Sequence, residues 1–148
     1  MKDTIRNGII AGLLGSLGDD AIHLPAYFLL GTSTTAHYIS QLIFPFKEVT
    51  LVRWGFGDAT HWFTGALIGI ILALIIKYSG SDYAYYKGIA VVITSWIVHV
   101  LLIPNMVQPR PYLFRSELEA LVDLIAHVAY GILATFYLVR TYRRNLIN

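Results

Sequence analysis

Four apolar runs dominate the chain, and each carries histidine, most of it beside a carboxylate. The runs cover about 4–30, 52–76, 85–103 and 117–139. Each is roughly 20–25 residues long, enough at about 1.5 Å per residue to cross about 30 Å of hydrocarbon. Asp20 and His23 lie in the first run, Asp58 and His61 in the second, and His99 in the third. Glu119, Asp123 and His127 lie in the fourth. An ionisable side chain inside a membrane costs on the order of 2.5–3.5 kcal/mol even on lenient insertion scales, so a chain that keeps so many has a use for them. The pattern predicts an all-α integral membrane four-helix bundle around a polar site.

Composition supports the membrane class. Of 148 residues, 56% are hydrophobic and only 14% charged, against about 25% charged in an ordinary soluble domain. No polar or Pro/Gly/Ser-rich stretch is long enough to separate two units, so 1–148 reads as one transmembrane domain. There is no cysteine, which excludes disulfides, thiolate zinc sites, iron–sulfur ligation and cysteine nucleophiles. Any metal would need His and carboxylate ligands. The net charge of +2 is scattered, with no basic stripe for nucleic acid.

Lys2 and Arg6 precede an apolar stretch, as in a signal peptide, but Asp19 and Asp20 interrupt it and no small-residue cleavage site follows. The stretch therefore reads as the start of a retained helix, with Pro25 as a kink point. In the first connection, Ser33 or Thr34 would cap a short helix whose face Ala36, Ile39, Leu42 and Ile43 lies in the interface plane until Pro45. The third connection, with Pro104, Pro109 and Pro111, reads as a stiff extended loop. Lys2, Arg6, Lys77, Lys87, Arg140, Arg143 and Arg144 fall on one side of the bundle, and Lys47, Arg53, Arg110 and Arg115 on the other. The positive-inside rule then places both termini in the cytoplasm, in the inner (plasma) membrane.

With that orientation, His23, His61, His99 and His127 lie at one depth in the outer half, with Asp20, Asp58 and Asp123 in the same layer. The inner halves are nearly pure Leu, Ile, Val, Ala and Gly. A polar cavity above a dry, closed inner half follows.

Asp20-x-x-His23 and Asp58-x-x-His61 put acid and imidazole on one helix face. Di-metal carboxylate bundles use the related Glu-x-x-His spacing. Asp123 and His127 add a pair one turn apart, and His99 brings in the remaining helix. The plainer reading is that each Asp orients its neighbouring His through a hydrogen bond, as structural or proton-handling pairs. A haem b carrier would use His61 and His127 as facing axial ligands, but the adjacent carboxylates count against an apolar haem slot. Glu119 fits a capping box with Ser116. Asp19 is expected to face water or another helix, since Asp20 beside it faces the site. His37 reads as a solvated loop residue, and Thr60, Thr64, Thr94 and Ser95 as helix–helix hydrogen-bond donors.

Gly8-x-x-x-Gly12, Gly65-x-x-x-Gly69 and the run Gly12, Gly15, Gly18 allow close helix approach, within the bundle or in a homodimer or partner-subunit contact. A faint repeat is also visible. His61-Trp-Phe-Thr-Gly65 matches His127-Val-Ala-Tyr-Gly131, and Lys87-Gly88-Ile89 echoes Asn7-Gly8-Ile9. It suggests parallel duplication of a two-helix hairpin.

The segment Trp96-Ile-Val-His99-Val-Leu-Leu-Ile-Pro104 is followed by a Pro-containing loop, Ser116-Glu117 and His127-Val-Ala-Tyr-Gly131. With the glycine-rich start Asn7–Gly15, it resembles small four-span bacterial membrane proteins of the YqhR-like and YagU-like families. The resemblance implies a four-helix inner-membrane protein and no particular reaction.

The preferred reading is a membrane protein binding a divalent transition metal, zinc or iron, in the outer half of the bundle. Its ligands would be His61, His127, Asp58 and Asp123, with His23, Asp20 and His99 completing one or two sites. An open coordination position would extend this to hydrolysis of a lipid or lipid-linked substrate. The competing reading is a non-enzymatic transporter-like module or partner subunit with a proton-handling His/Asp layer.

Overall fold

The computed structural model describes residues 3–45, 47–103, 106 and 116–147, and these contain helices and no strand. Helix α1 spans Thr4–Leu30, opened by Asp3 accepting from the Arg6 amide at 2.9 Å. It runs through Pro25 and ends on Gly31, whose φ of 70° is the left-handed cap conformation that glycine adopts without strain. Helix α2 spans Thr35–Ile43 and is capped by Thr34, which accepts from the His37 amide at 3.3 Å. Helix α3 spans Leu51–Ser79. Its last carbonyls, Ser79 and Gly80, accept from Lys87 Nζ at 3.0 and 2.9 Å, a cation at a helix C-terminus. Helix α4 spans Ala84–Ile97 and continues as a π-helical turn over Val98–Leu102. Helix α5 spans Glu117–Ile147. The capping box is present: Ser116 N donates to Glu119 Oε2 at 3.1 Å, and Glu119 N to Ser116 Oγ at 3.2 Å. Ser33 N donates to the other Glu119 oxygen at 3.0 Å, tying the α1–α2 turn to the start of α5.

Glycine brings the helices together. A Cβ on Gly12 would strike the backbone of Gly65 and Ala66, and one on Gly8 the backbone of Ile70 and Gly69, so α1 and α3 pack antiparallel at near-backbone contact. Gly57 admits α2 in the same way, against Ala36 and Ser40. The four long helices form a ring in which α1 packs on α3 and α5, α5 packs on α4, and α3 and α4 meet only loosely. Buried positions along α1 are Thr, Asn, Gly, Ala, Ser, Asp and His, whereas Leu17, Phe28 and Leu29 point outward. Phe63 and Ile71 on α3 and Ile125 and Phe136 on α5 are also exposed. One end of the bundle is a dry core of Leu72, Ala73, Ile76, Val92, Ala134 and Leu138.

Several details differ from the sequence reading. Helix α5 extends beyond 139, its added turns carrying Arg140 and Arg143 where cations suit a helix C-terminus. The apolar residues Ile39, Leu42 and Ile43 of α2 line one side of a partly open cavity, with Ile43 also exposed. Thr60 and Thr94 donate to the carbonyls of Phe56 and Ala90 in their own helices, at 2.8 Å each, and not across helices. His37 is half-buried on α2, stacked on Tyr27 at 5.5 Å and bonded to Thr34 Oγ1 at 2.8 Å. Burial lowers its pKa below the ordinary histidine value. The proline-rich third connection lies outside the described residues.

Candidate metal centre

Two clusters of ligand-type side chains sit in one layer. The first joins Asp19 and Asp20 of α1 to His61 of α3. His61 Nε2 lies 3.7 Å from Asp19 Oδ2 and 3.7 Å from Asp20 Oδ1. These separations are too long for direct hydrogen bonds. His61 is 8% exposed, and its Nε2 has no hydrogen-bond partner among the described residues. The spacing fits atoms arranged around a cation, since tetrahedral ligands at about 2.1 Å lie roughly 3.4 Å apart.

The second cluster joins His99 of the π turn to Asp123 and His127 of α5. His99 Nε2 is 3.1 Å from Asp123 Oδ2, and the two imidazole rings are 4.7 Å apart. His99 Nδ1 lies 3.2 Å from the Ser95 carbonyl, and His127 Nδ1 lies 2.9 Å from the Asp123 carbonyl. A carbonyl only accepts, so Nδ1 donates in both rings, while His99 Nε2 faces the Asp123 carboxylate and would take a cation only after giving up its proton. Metal-ligating histidines are commonly oriented by such a bond from the other ring nitrogen. The π turn that holds His99 is anchored by Tyr38, whose hydroxyl donates to the His99 carbonyl at 2.7 Å. Single π turns recur at functional sites.

The clusters are continuous. His23 Nε2 is 3.2 Å from Asp123 Oδ1 and 3.8 Å from Asp19 Oδ2. His127 Nδ1 is 3.7 Å from Asp19 Oδ1. Thr35 of α2 donates to Asp19 Oδ2 at 3.0 Å. Every helix thus reaches one polar layer.

Of the residues singled out from sequence, His23, His61, His99, His127, Asp20 and Asp123 come together. Asp58 does not enter either cluster. It is half-buried near Asp20. Asp123 and His127 do share a cluster as a same-helix pair, but Asp58 and His61 do not: His61 is joined instead to Asp19 and Asp20 of α1. Asp19, expected to face water or another helix, is 1% exposed and lies at the junction of the clusters. A signal for it was available. Gly12, Gly15, Ser16, Asp19 and His23 recur every three or four residues, so the small-residue stripe that packs α1 carries Asp19 on the same buried face.

A cavity of about 330 Å³ opens beside this layer, between α3 and α4 and under α2. Asp19, His61, His99 and His127 line its polar end, and Ile39, Leu42, Ile68, Val92 and Val98 contribute apolar wall. Its size falls within the range of small-molecule sites, roughly 300–1,000 Å³. Compared with known proteins, the chain matches no family model, no curated protein and no solved structure.

Proposed function

We propose that the protein crosses a membrane four times and holds a divalent transition metal, zinc or iron, in its His/Asp layer, as a metal-dependent hydrolase. The observation that carries the metal reading is His61 Nε2, buried without a hydrogen bond and equidistant from two carboxylates. Carboxylate and imidazole donors suit zinc, iron or manganese.

Two helices, Leu51–Ser79 and Glu117–Arg143, are long and apolar enough to cross a membrane, and Ala84–Val100 is a shorter apolar helix. Helix α1 has 27 residues, and Asp19 and His23, which make it less apolar, are turned inward. A core of small and polar residues under an outer surface of Leu, Ile and Phe is the arrangement expected of helices in lipid. With both termini cytoplasmic, the layer lies in the outer half.

A bound ion with an open position would supply an activated water at neutral pH. The chain's own groups do the rest. Asp19, Asp20 and Asp123 provide the negative charge that holds a cation in an apolar surround, and the imidazole Nε2 atoms provide neutral ligands. The cavity walls exclude bulk water. The site suits hydrolysis of an ester or phosphate carried on an apolar substrate.

Metal analysis of detergent-purified protein tests the reading. Stoichiometric zinc or iron in the wild type, lost in His61→Ala/His127→Ala, is the expected result. A folded wild type that takes up no metal on reconstitution overturns it and leaves a structural or proton-handling network.

A further inference from the structure

The ring of helices is a duplicated hairpin with one seam filled and the other open. The step along the chain that takes Gly8 to Gly88 also takes Asp19 to His99. The step that takes Gly65 to Gly131 takes His61 to His127 and Gly69 to Thr135. The contacts follow the same correspondence. Gly8 abuts Gly69 and Gly12 abuts Gly65, while Gly88 abuts Thr135 and Gly131 abuts Val92. Helices α1 and α3 therefore correspond to α4 and α5, and each hairpin supplies one cluster of the polar layer. A rotation exchanging the hairpins carries the α1/α5 seam onto the α4/α3 seam.

These two seams differ. In the first, Gly15 and Gly18 of α1 leave room for α5, and the Tyr130 ring packs against Gly15. Tyr130 also donates to the Gly65 carbonyl at 2.6 Å, which locks it in place. In the second, the corresponding residues are Ser95 and Val98 on α4 and Thr64 on α3. The α4 seam has Ser95 and Val98 where α1 has glycine, α3 and α4 meet only loosely, and threonine is shorter than the tyrosine that fills the other seam. The cavity is that space, and Thr64, Ser95 and Val98 all line it.

We infer that the α3/α4 seam binds a single-chain membrane amphiphile, its aliphatic chain between the helices and its anionic oxygen head, carboxylate or phosphate, at the His/Asp end. The head-group half rests on the metal reading, because Asp19 and Asp123 would repel an anion without a cation between them. The chain half rests on the apolar walls and on the seam's position between two helices that present apolar surface outward. Among the described residues the core beyond the layer is packed Leu72, Ala73, Ile76, Ala134 and Leu138, so the slot suits holding a molecule and not passing one across.

The test uses two photoreactive probes in detergent-purified, metal-loaded full-length protein: a diazirine fatty acid and the matching diazirine alkyl phosphate. Labelled residues are mapped by mass spectrometry, and metal content is measured on the same samples. The expected result is labelling at Thr64, Ile68, Val92 or Ser95, retained in Thr64→Val and lost in Thr64→Tyr, with metal content unchanged in both variants. Ile68→Phe, which narrows the slot from another wall, gives the same loss if Thr64→Tyr fails to fold. Whichever probe labels the seam identifies the head. Labelling spread over the outer surface, or insensitive to both filling variants, overturns the inference while metal binding stands. Labelling that survives removal of the metal overturns the assignment of the head group. A wild type without metal and without seam labelling overturns this inference and the metal reading together.

Discussion

Asp123→Asn separates a metal site from a structural polar network. Asp123 is completely buried and bonds His23 at 3.2 Å and His99 at 3.1 Å. Asparagine keeps the shape and one acceptor oxygen but loses the charge. In metal-free protein the loss is one or both interhelical hydrogen bonds, at about 0.6 kcal/mol each on average and about 1.7 at most, so no more than about 3 kcal/mol in total. In metal-loaded protein a second loss appears. A ligand at a hundred times its Kd stabilises the folded state by about 2.7 kcal/mol. Losing even an outer partner of a metal ligand weakens affinity by about 10–100-fold. At the upper figure, the metal-linked stabilisation at the same concentration falls to about 0.4 kcal/mol. The variant's deficit should therefore be about 2 kcal/mol larger with metal than in chelator. The assay is unfolding in detergent, followed by circular dichroism, for both proteins with and without added zinc or iron. Equal metal-induced stabilisation in the two proteins would refute the reasoning and reduce Asp123 to a hydrogen-bond partner.

Gly12→Val sets a Cβ against the Gly65 and Ala66 backbone, which has no side chain to move aside. It should cost about 1–3 kcal/mol or more through overpacking, read as loss of folded yield, whereas Gly55→Val meets nothing within 4 Å and should be tolerated. Tyr38→Phe removes the hydroxyl bonded to the His99 carbonyl and should cost about 0.5–1.5 kcal/mol. Its metal affinity, by titration, should fall less than that of His99→Ala, since Tyr38 positions the ligand and does not supply it. His37 is held neutral by burial, so its folded pKa lies below its unfolded one near 6.5. Its contribution is then complete above about 6.5 and is lost as pH falls from there through the folded pKa. The melting temperature of His37→Gln should depend less on pH in that window than the wild type's, and parallel profiles would contradict this.

The helices were legible because their signals are local. Run length, the Ser116/Glu119 box and the Thr34 cap each lie within a few residues of the end they mark, and the observed bounds follow them closely. The common depth of the histidines was legible for the same reason, since rise per residue converts position into depth. What sequence reading missed depends on how neighbouring helices are turned. Asp58 and His61 share a helix face, yet only His61 joins Asp19 and Asp20 of α1 in a cluster, and Asp58 lies near Asp20 outside it. The cavity was harder still. It arises from Thr64 standing where the other hairpin has Tyr130, and that comparison has meaning only once the two seams are known to correspond.

The placement of acids also says how the bundle is held together. In lipid, apolar burial gives helices little reason to associate, and close backbone packing and interhelical polar contacts must do so. The α1/α3 seam has its glycines. The junction between hairpins depends more on Asp19 and Asp123, which face histidines from both halves. In the membrane setting proposed above, either hairpin alone would leave carboxylates facing hydrocarbon, at a cost on the order of 2.5–3.5 kcal/mol each. Bringing the halves together supplies imidazoles, and a cation between them would neutralise the charge that imidazoles alone leave uncompensated. Metal binding and hairpin association are then linked. Stripping the metal should loosen the α1/α5 junction before the glycine-packed α1/α3 seam. Hydrogen exchange in detergent would show this as protection lost first around His23 and Asp123 and retained around Gly12 and Gly65; the opposite order would mean that the polar layer contributes little to assembly.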